Sequence, residues 1–160
     1  MGAGYFEDIP EVDLTTTINF TTVTNSIAAL SITGVIVKDS DEIPSSIGLN
    51  SAILCPRPDN FITGFSARRD ELSGQNLTVR YTLNYQYFHC AIGQSLFADF
   101  APMLDKLALI AKAFSADDTL SGALDNGLPS FGRLGPMMDA SGNKYHGCEV
   151  SIPITQFLEV

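Results

Sequence analysis

The stretch that decides the fold is 77-LTVRYTLNYQYFHCA-91, in which apolar or aromatic residues alternate with other residues. Its two faces would carry Leu77, Val79, Tyr81, Leu83, Tyr85, Tyr87 and His89 on one side, and Thr78, Arg80, Thr82, Asn84, Gln86 and Phe88 on the other. A period of two residues is typical of a β-strand with one buried face. At about 3.3 Å per residue the strand would extend roughly 50 Å, so we expect it to contain a bend or a bulge.

Apolar patterns on both sides of this stretch predict the other elements. Alternation or aromatic content predicts strands near residues 52–55, 60–69, 131–139 and 146–160, with a hairpin turn at 140–143. Apolar spacings of three and four residues predict two helices, with faces made of Phe20, Val23, Ile27 and Leu30 in the first and of Leu96, Phe100, Met103, Leu107, Ile110 and Phe114 in the second.

Two prolines restrict these elements. Pro102 suits the first turn of a helix, so the second helix is expected to begin near Asp99. Pro153 has no N–H to donate to a neighbouring strand, so the last strand is expected at a sheet edge or with a bulge at that residue.

The order of elements predicts the fold class. Strands and helices do not alternate as repeating βαβ units. We therefore expect an α+β fold, with an antiparallel, twisted sheet of about four to five strands and two main helices packed on one face. The length of 160 residues suits one domain. We interpret residues 1–13 as an acidic N-terminal arm and residues 14–160 as the single α+β domain.

Charge and hydropathy exclude several function classes. Eighteen acidic residues against nine Lys and Arg give a formal net charge of −9, which argues against affinity for DNA or anionic lipid. Residues 1–13 lack the basic and apolar regions of a signal peptide. The mostly apolar run Ile27–Val37 is shorter than the roughly 20 residues of a spanning helix, so no membrane segment is expected.

The cysteines and histidines provide the best candidate metal site. His146 and Cys148 would share one face of the last strand, and His89 could join them from a neighbouring strand. Cys90 would point to the opposite face, which leaves the set short of the about four ligands that zinc needs. Cys55, Cys90 and Cys148 are an odd number without a CxxC pair, so we interpret all three as reduced thiols and predict no metal.

Motifs of enzymes are missing from the sequence. It contains no GxxxxGK[ST] phosphate loop, no GxGxxG after a strand and no GxSxG nucleophile elbow. Adjacent strand residues such as His89 and Cys90 direct their side chains apart, so they do not form a nucleophile and its base. We predict no catalytic residues and no cofactor.

The basic residues are concentrated in one region. Arg57, Arg68, Arg69 and Arg80 are four of the nine cations. One interpretation is a solvated strand face that pairs with Asp59, Asp70 and Glu71. The other is a contact between subunits, in which these arginines meet the acidic arm of a neighbour. The candidate interface residues are Glu7, Asp8, Glu11, Asp13, Arg57, Arg68, Arg69 and Arg80.

Over residues 15–160 the layout resembles the tail terminator, or tail completion, proteins of bacteriophages with long non-contractile tails. After an N-terminal helix come an Ile-Pro loop, Asp41-Glu42-Ile43-Pro44, and a Pro-rich segment, Leu54-Cys55-Pro56-Arg57-Pro58. The long aromatic strand Tyr81–Tyr87, one amphipathic helix and a C-terminal hairpin that ends in Gly147–Val160 complete the similarity. The resemblance is one of element order rather than of a signature motif.

This resemblance implies a virion structural protein without enzymatic activity, made in the host cytoplasm. Members of the family form hexameric rings that cap the head-proximal end of the tail tube, stop its polymerisation and join the tail to the head connector. The expected partners are other copies of the chain, the tail tube protein and the head-tail connector or stopper protein, with the genome DNA passing through the ring as cargo. The family has no catalytic residues to carry over.

Two alternatives stay open. The chain could be another head-tail joining, neck or tail protein. It could also belong to a different class, a small ligand-binding or enzymatic α+β domain whose site is spread over several strands.

The incomplete ligand set of His89, His146 and Cys148 leads to a first prediction. The gently purified protein should contain no stoichiometric zinc, and its folding should be unchanged in a chelator, because the ligand set is incomplete. Elemental analysis by mass spectrometry and circular dichroism with EDTA measure both. One equivalent of zinc per chain would contradict the interpretation.

Overall fold

The computed structural model describes residues 14–15, 20–38, 52–69, 76–91, 96–116 and 128–159. In chain order the elements are β1 (Leu14–Thr15), α1 (Phe20–Ala28), β2 (Val35–Val37), β3 (Ala52–Pro56), β4 (Ile62–Arg69), β5 (Asn76–Ala91), α2 (Leu96–Ala116), β6 (Ser130–Phe131), β7 (Gly135–Met138) and β8 (Lys144–Glu159). The eight strands within these ranges form one sheet. Neither α1 nor α2 combines the length and apolarity needed to cross a bilayer.

Two strands of sixteen residues, β5 and β8, form the centre of the sheet. They pair antiparallel from Asn76 opposite Glu159 to Ala91 opposite Tyr145. The bend or bulge that was expected in the long strand lies between Phe88 and Cys90, where the pairing register with β8 shifts. Gly147 lies opposite Phe88, and a Cβ at this position would collide with the backbone carbonyl of Tyr87. The closeness of the two backbones therefore requires glycine here.

The other edge of β5 is shared by two strands that follow one another. β3 pairs with Tyr85–Phe88 and β4 with Leu77–Leu83, both antiparallel. They act as one long strand that is interrupted at residues 57–61. The fold class is thus α+β, as predicted.

The prediction of an antiparallel sheet with four to five strands is wrong in two respects. β1 runs parallel to β8, and β2 runs parallel to β3. The sheet is therefore mixed, and it has more strands than expected. Strands of two or three residues such as β1 and β2 are too short to show a period of two, which explains why the sequence pattern missed them.

Both helices pack on one face of the sheet, which we call the inner face. Val23 and Ile27 of α1 and the predicted stripe of α2 are buried against β5 and β8. The buried stripe of α2 comprises Met103, Leu107, Ile110 and Phe114. Their strand partners are Val79, Tyr81, Leu83, Tyr85 and Tyr87 on β5 and Cys148, Val150, Ile152 and Ile154 on β8. The two amphipathic predictions are confirmed at these positions.

The two prolines are placed differently from the prediction. α2 begins at Leu96, so Pro102 lies in its second turn, with its ring exposed to solvent. Pro153 pairs with Thr82 inside the continuous β5–β8 ladder. On the other side of β8, among the described residues, β6 ends opposite Ser151 and β1 begins opposite Phe157, which leaves Pro153 at a local edge. A missing N–H is tolerated there.

A smaller cluster lies on the opposite, outer face. Ile53, Cys55 and Phe88 are buried there with Tyr145, and the Phe88 and Tyr145 rings meet edge to face at 5.6 Å. The β7–β8 turn beside it is held by Asp139, whose Oδ1 accepts the backbone N–H groups of Ser141 and Asn143, each at 2.9 Å. This end of the outer face is therefore apolar.

The packing of α2 generates a prediction with a matched control on the same helix. Leu107 is 6% exposed and Leu104 is 57% exposed. Leu107→Ala should lower the free energy of unfolding by about 2–5 kcal/mol, because it removes buried methyl groups and leaves a cavity. Leu104→Ala should change it by less than about 0.5 kcal/mol. Urea denaturation measures both, and equal losses would show that α2 does not bury the predicted stripe.

Candidate assembly surface

The most unusual surface of the described structure is strand β4. All eight of its residues are exposed, whereas Ile53 to Pro56 of β3, on the same edge of β5, are buried. The exposed residues include two large apolar ones, Ile62 at 45% and Phe65 at 58%. Among the described residues β4 pairs only with β5, and no described strand pairs with its second edge. An exposed apolar edge strand is a template for pairing with another chain.

Beside β4 the inner face holds an apolar groove, which we define by Phe20, Ile62, Phe65 and Tyr81. Its volume is about 230 Å³. The ring of Phe65 stacks on that of Tyr81 with centroids 6.1 Å apart, and the buried Tyr81 hydroxyl donates to Oε1 of Gln156 at 3.3 Å. The floor of the groove is thus fixed, while Ile62 and Phe65 form a wall that faces solvent.

The predicted arginine cluster is only partly assembled. Ser66 pairs with Arg80 and Arg68 with Thr78, so Arg68 and Arg80 lie on the same, outer face as diagonal neighbours. Arg69 pairs with Leu77 and lies on the inner face, beyond the groove. All three are exposed, and no acidic side chain in the described ranges forms an ion pair with any of them.

Arg57 is separated from the other three. Its backbone N–H donates to the carbonyl of Asn84, six positions along β5 from the partner of Arg68, or roughly 20 Å at about 3.3 Å per residue. Its guanidinium contacts Glu149 at 2.9 Å and Asp59 at 3.6 Å. Pairing with Asp59 agrees with the solvated-face interpretation at this position. The acidic residues of the candidate interface, Glu7, Asp8, Glu11 and Asp13, lie outside the described residues.

A second pocket, of about 320 Å³, lies on the outer face between β5, β8 and β7. Its lining includes Cys55, Arg57, Gln86, Met137 and Glu149. Burial raises the pKa of the Cys55 thiol from 9.0 to about 12, although a hydrogen bond to Gln86 and the charge of Lys38 oppose this shift. The thiol is therefore protonated near neutral pH and is a poor nucleophile.

The residues of the candidate metal site do not converge. Cys148 is buried on the inner face, where burial and then the charge of Glu149 raise its pKa to about 11. The His146 ring contacts the ring of Phe100 on α2, with centroids 5.0 Å apart and the ring planes tilted by 56°. The Nδ1 atom of His89 lies 2.8 Å from the Tyr87 hydroxyl. Within the described part of the chain, no three His, Cys, Asp or Glu side chains are grouped as a metal site.

Two features of this region were not predicted from the sequence. The aromatic content of residues 60–69 was visible in the sequence, but the exposure of Ile62 and Phe65 was not, because it depends on where α1 and α2 end over the sheet. The second feature is the role of Asn84 as a hydrogen-bond donor between β3 and β4, since its sequence context does not distinguish it from the other polar residues of β5. Its side-chain amide donates to the carbonyl of Asn60 and to Oγ1 of Thr63, both at 2.9 Å, and so closes the gap between β3 and β4.

The buried thiols generate a pH prediction. Folding raises the pKa of Cys55 and Cys148, so their contribution to stability is complete below about pH 9 and is lost as the pH rises toward 11–12. The free energy of unfolding in urea should fall between about pH 8.5 and 10.5, and Cys148→Ala should reduce the slope, since one titrating group is removed. Identical slopes in the two proteins would contradict burial of this thiol.

Comparisons with known proteins leave the family of the chain open. A scan against protein-family models and a search of curated proteins found no match to this chain. The function is therefore argued from the exposed edge, the groove, the charge distribution and the resemblance in element order.

Proposed function

We propose that this protein is a virion structural protein that forms a ring, of six copies, at the head-proximal end of a phage tail tube. The ring ends tube polymerisation and joins the tail to the head connector, and DNA passes through its opening. The observation that carries the proposal is β4, an edge strand that is exposed along its whole length and bears two large apolar side chains. Such an edge favours assembly with another chain.

The positions of the sheet edges support a ring. Leu14 of β1 pairs with Phe157, Phe157 with Thr78, and Thr78 with Arg68, so these four residues lie in one row across the sheet. Among the described strands, β1 and β4 are the opposite edges of this row. A contact between the β1 edge of one copy and the β4 edge of the next is heterologous, and a heterologous contact generates a ring when the rotation closes.

The charge supports passage of DNA. Six chains at −9 each would carry a formal charge of −54. Repulsion between this charge and the phosphates would keep the genome from binding inside the opening.

The pocket on the outer face supports a second candidate, a small ligand-binding domain. It combines Arg57 and Gln86 with apolar side chains such as Met137, a mixture typical of small-molecule sites. However, Arg57 is engaged with Glu149 at 2.9 Å, which reduces its availability to an anionic ligand. We therefore favour the structural role.

Tube length tests the proposed function. Addition of the protein to a polymerising tail tube protein should shorten the tubes and place a ring at one end of each, because a bound ring blocks the end that would accept the next subunit. Negative-stain electron microscopy measures both. Tubes of unchanged length without terminal rings would contradict the proposal, and bovine serum albumin at the same concentration is the control for crowding.

A further inference from the structure

We infer that the apolar groove and the free edge of β4 bind the acidic arm of a neighbouring copy, residues 1–13, as an added strand. This inference rests on the proposed ring and names the contact that would hold adjacent subunits together. The groove of Phe20, Ile62, Phe65 and Tyr81 receives an apolar side chain of the arm, and the arginines beside it receive acidic ones.

The charges of β4 and of the arm favour the arm over a second copy of β4 as the bound segment. Pairing of β4 with β4 of a second copy would bring together four arginines, two from each Ala67-Arg68-Arg69 segment, which costs energy without acidic partners. The arm has four acidic residues and no basic one. Arg68, Arg69 and Arg80 are exposed and have no acidic partner in the described ranges. The edge and the arm are therefore complementary in sign.

The sequence of the arm matches both faces of β4. In an extended segment, Tyr5, Glu7 and Ile9 would share one face, and Phe6 and Asp8 the other. On the inner face Tyr5 and Ile9 lie on either side of Glu7. When Glu7 meets Arg69, which lies beyond the groove, one of these two apolar side chains enters the groove. On the outer face Asp8 meets Arg68 and Arg80. Pro10 follows directly and would end the added strand, because proline cannot continue a ladder.

The place where the arm leaves the sheet favours a neighbouring copy over the same chain. Leu14 belongs to β1, which is three strands from β4, or about 14 Å at about 4.8 Å per strand. To reach its own β4 the arm would have to cross a face of the sheet and then turn along the opposite edge. An adjacent copy in a ring would instead present its β4 edge to the β1 edge from which the arm leaves.

Two full-length variants test the inference by complementation. Arm variant Y5S/F6S/I9S keeps an intact β4, and groove variant F65S/R68E keeps an intact arm. If the arm binds in trans, each variant alone should be monomeric, because every contact in a uniform ring needs both parts. A mixture should form a 1:1 complex of twice the 17.2 kDa chain mass, since one intact arm then meets one intact groove. Sedimentation velocity measures the masses.

Control variants separate loss of contact from loss of folding. Ile36→Ser replaces an apolar residue that is 50% exposed on β2, at the other end of the sheet, and Lys112→Glu reverses an exposed charge on α2. The double control I36S/K112E should assemble like wild type. Circular dichroism should give the same spectrum for all variants. A charge-reversal experiment provides a second test. The variant R68E/R69E should lose assembly, and adding E7K/D8K to the same chain should restore it, because both charges of each pair are then reversed.

Several results would overturn the inference. A mixture that stays monomeric while wild type assembles would mean that the arm binds its own chain or nothing. An arm variant that assembles like wild type would show that another surface forms the contact. A wild-type chain that stays monomeric at every soluble concentration would show that the arm does not bind a second copy. If the arm variant still shortens tail tubes with terminal rings, the proposed function stands and only this inference fails.

Discussion

The structure depends on one pairing, the continuous antiparallel ladder between β5 and β8. Each of the other strands joins this pair or extends it, and both helices pack on the inner face that the pair creates. The ladder places residues of one strand beside residues more than fifty positions away along the chain, such as Leu77 and Leu158. Hydrophobic burial along the inner face fixes its register, because a shift by one residue would expose the whole apolar set.

The helices cover the inner face of the β5–β8 pair but not that of the adjacent edge strand β4. Under α1 and α2 the sheet is buried on its inner face, as at Leu83 and Tyr85. Near Ile62 and Phe65 this cover ends, and apolar side chains reach solvent. The exposed edge thus results from a sheet that is wider than its helical layer, since Val79, Tyr81 and Leu83 of the neighbouring β5 stay buried.

Much of the fold was predictable because its longest elements carry strong periodicity. The alternation of Tyr81, Leu83 and Tyr85 and the helical stripe of Met103, Leu107 and Ile110 decided the α+β class and the buried faces. The direction of β1 and β2 was not predictable, since parallel pairing of such short strands depends on where the chain returns. The candidate surface was predicted only in part. The four arginines were identified from the sequence, but Arg57 lies in the interruption at residues 57–61 and is separated from Arg68 on β4.

The interruption between β3 and β4 divides one edge of the sheet into two parts with different local stability. Asn84 bridges it: its backbone N–H donates to the carbonyl of Phe61 at 2.8 Å, and its carbonyl accepts from Arg57 at 3.0 Å. Asn60 adopts a φ of 53°, a conformation that asparagine tolerates better than most residues. With both faces exposed, β4 can detach from β5 in a local opening while Val79 and Tyr81 stay buried. Amide hydrogens of Ile62–Arg69 would therefore exchange with solvent through this opening rather than through global unfolding, and the strand can adjust to a neighbour without loss of the domain core.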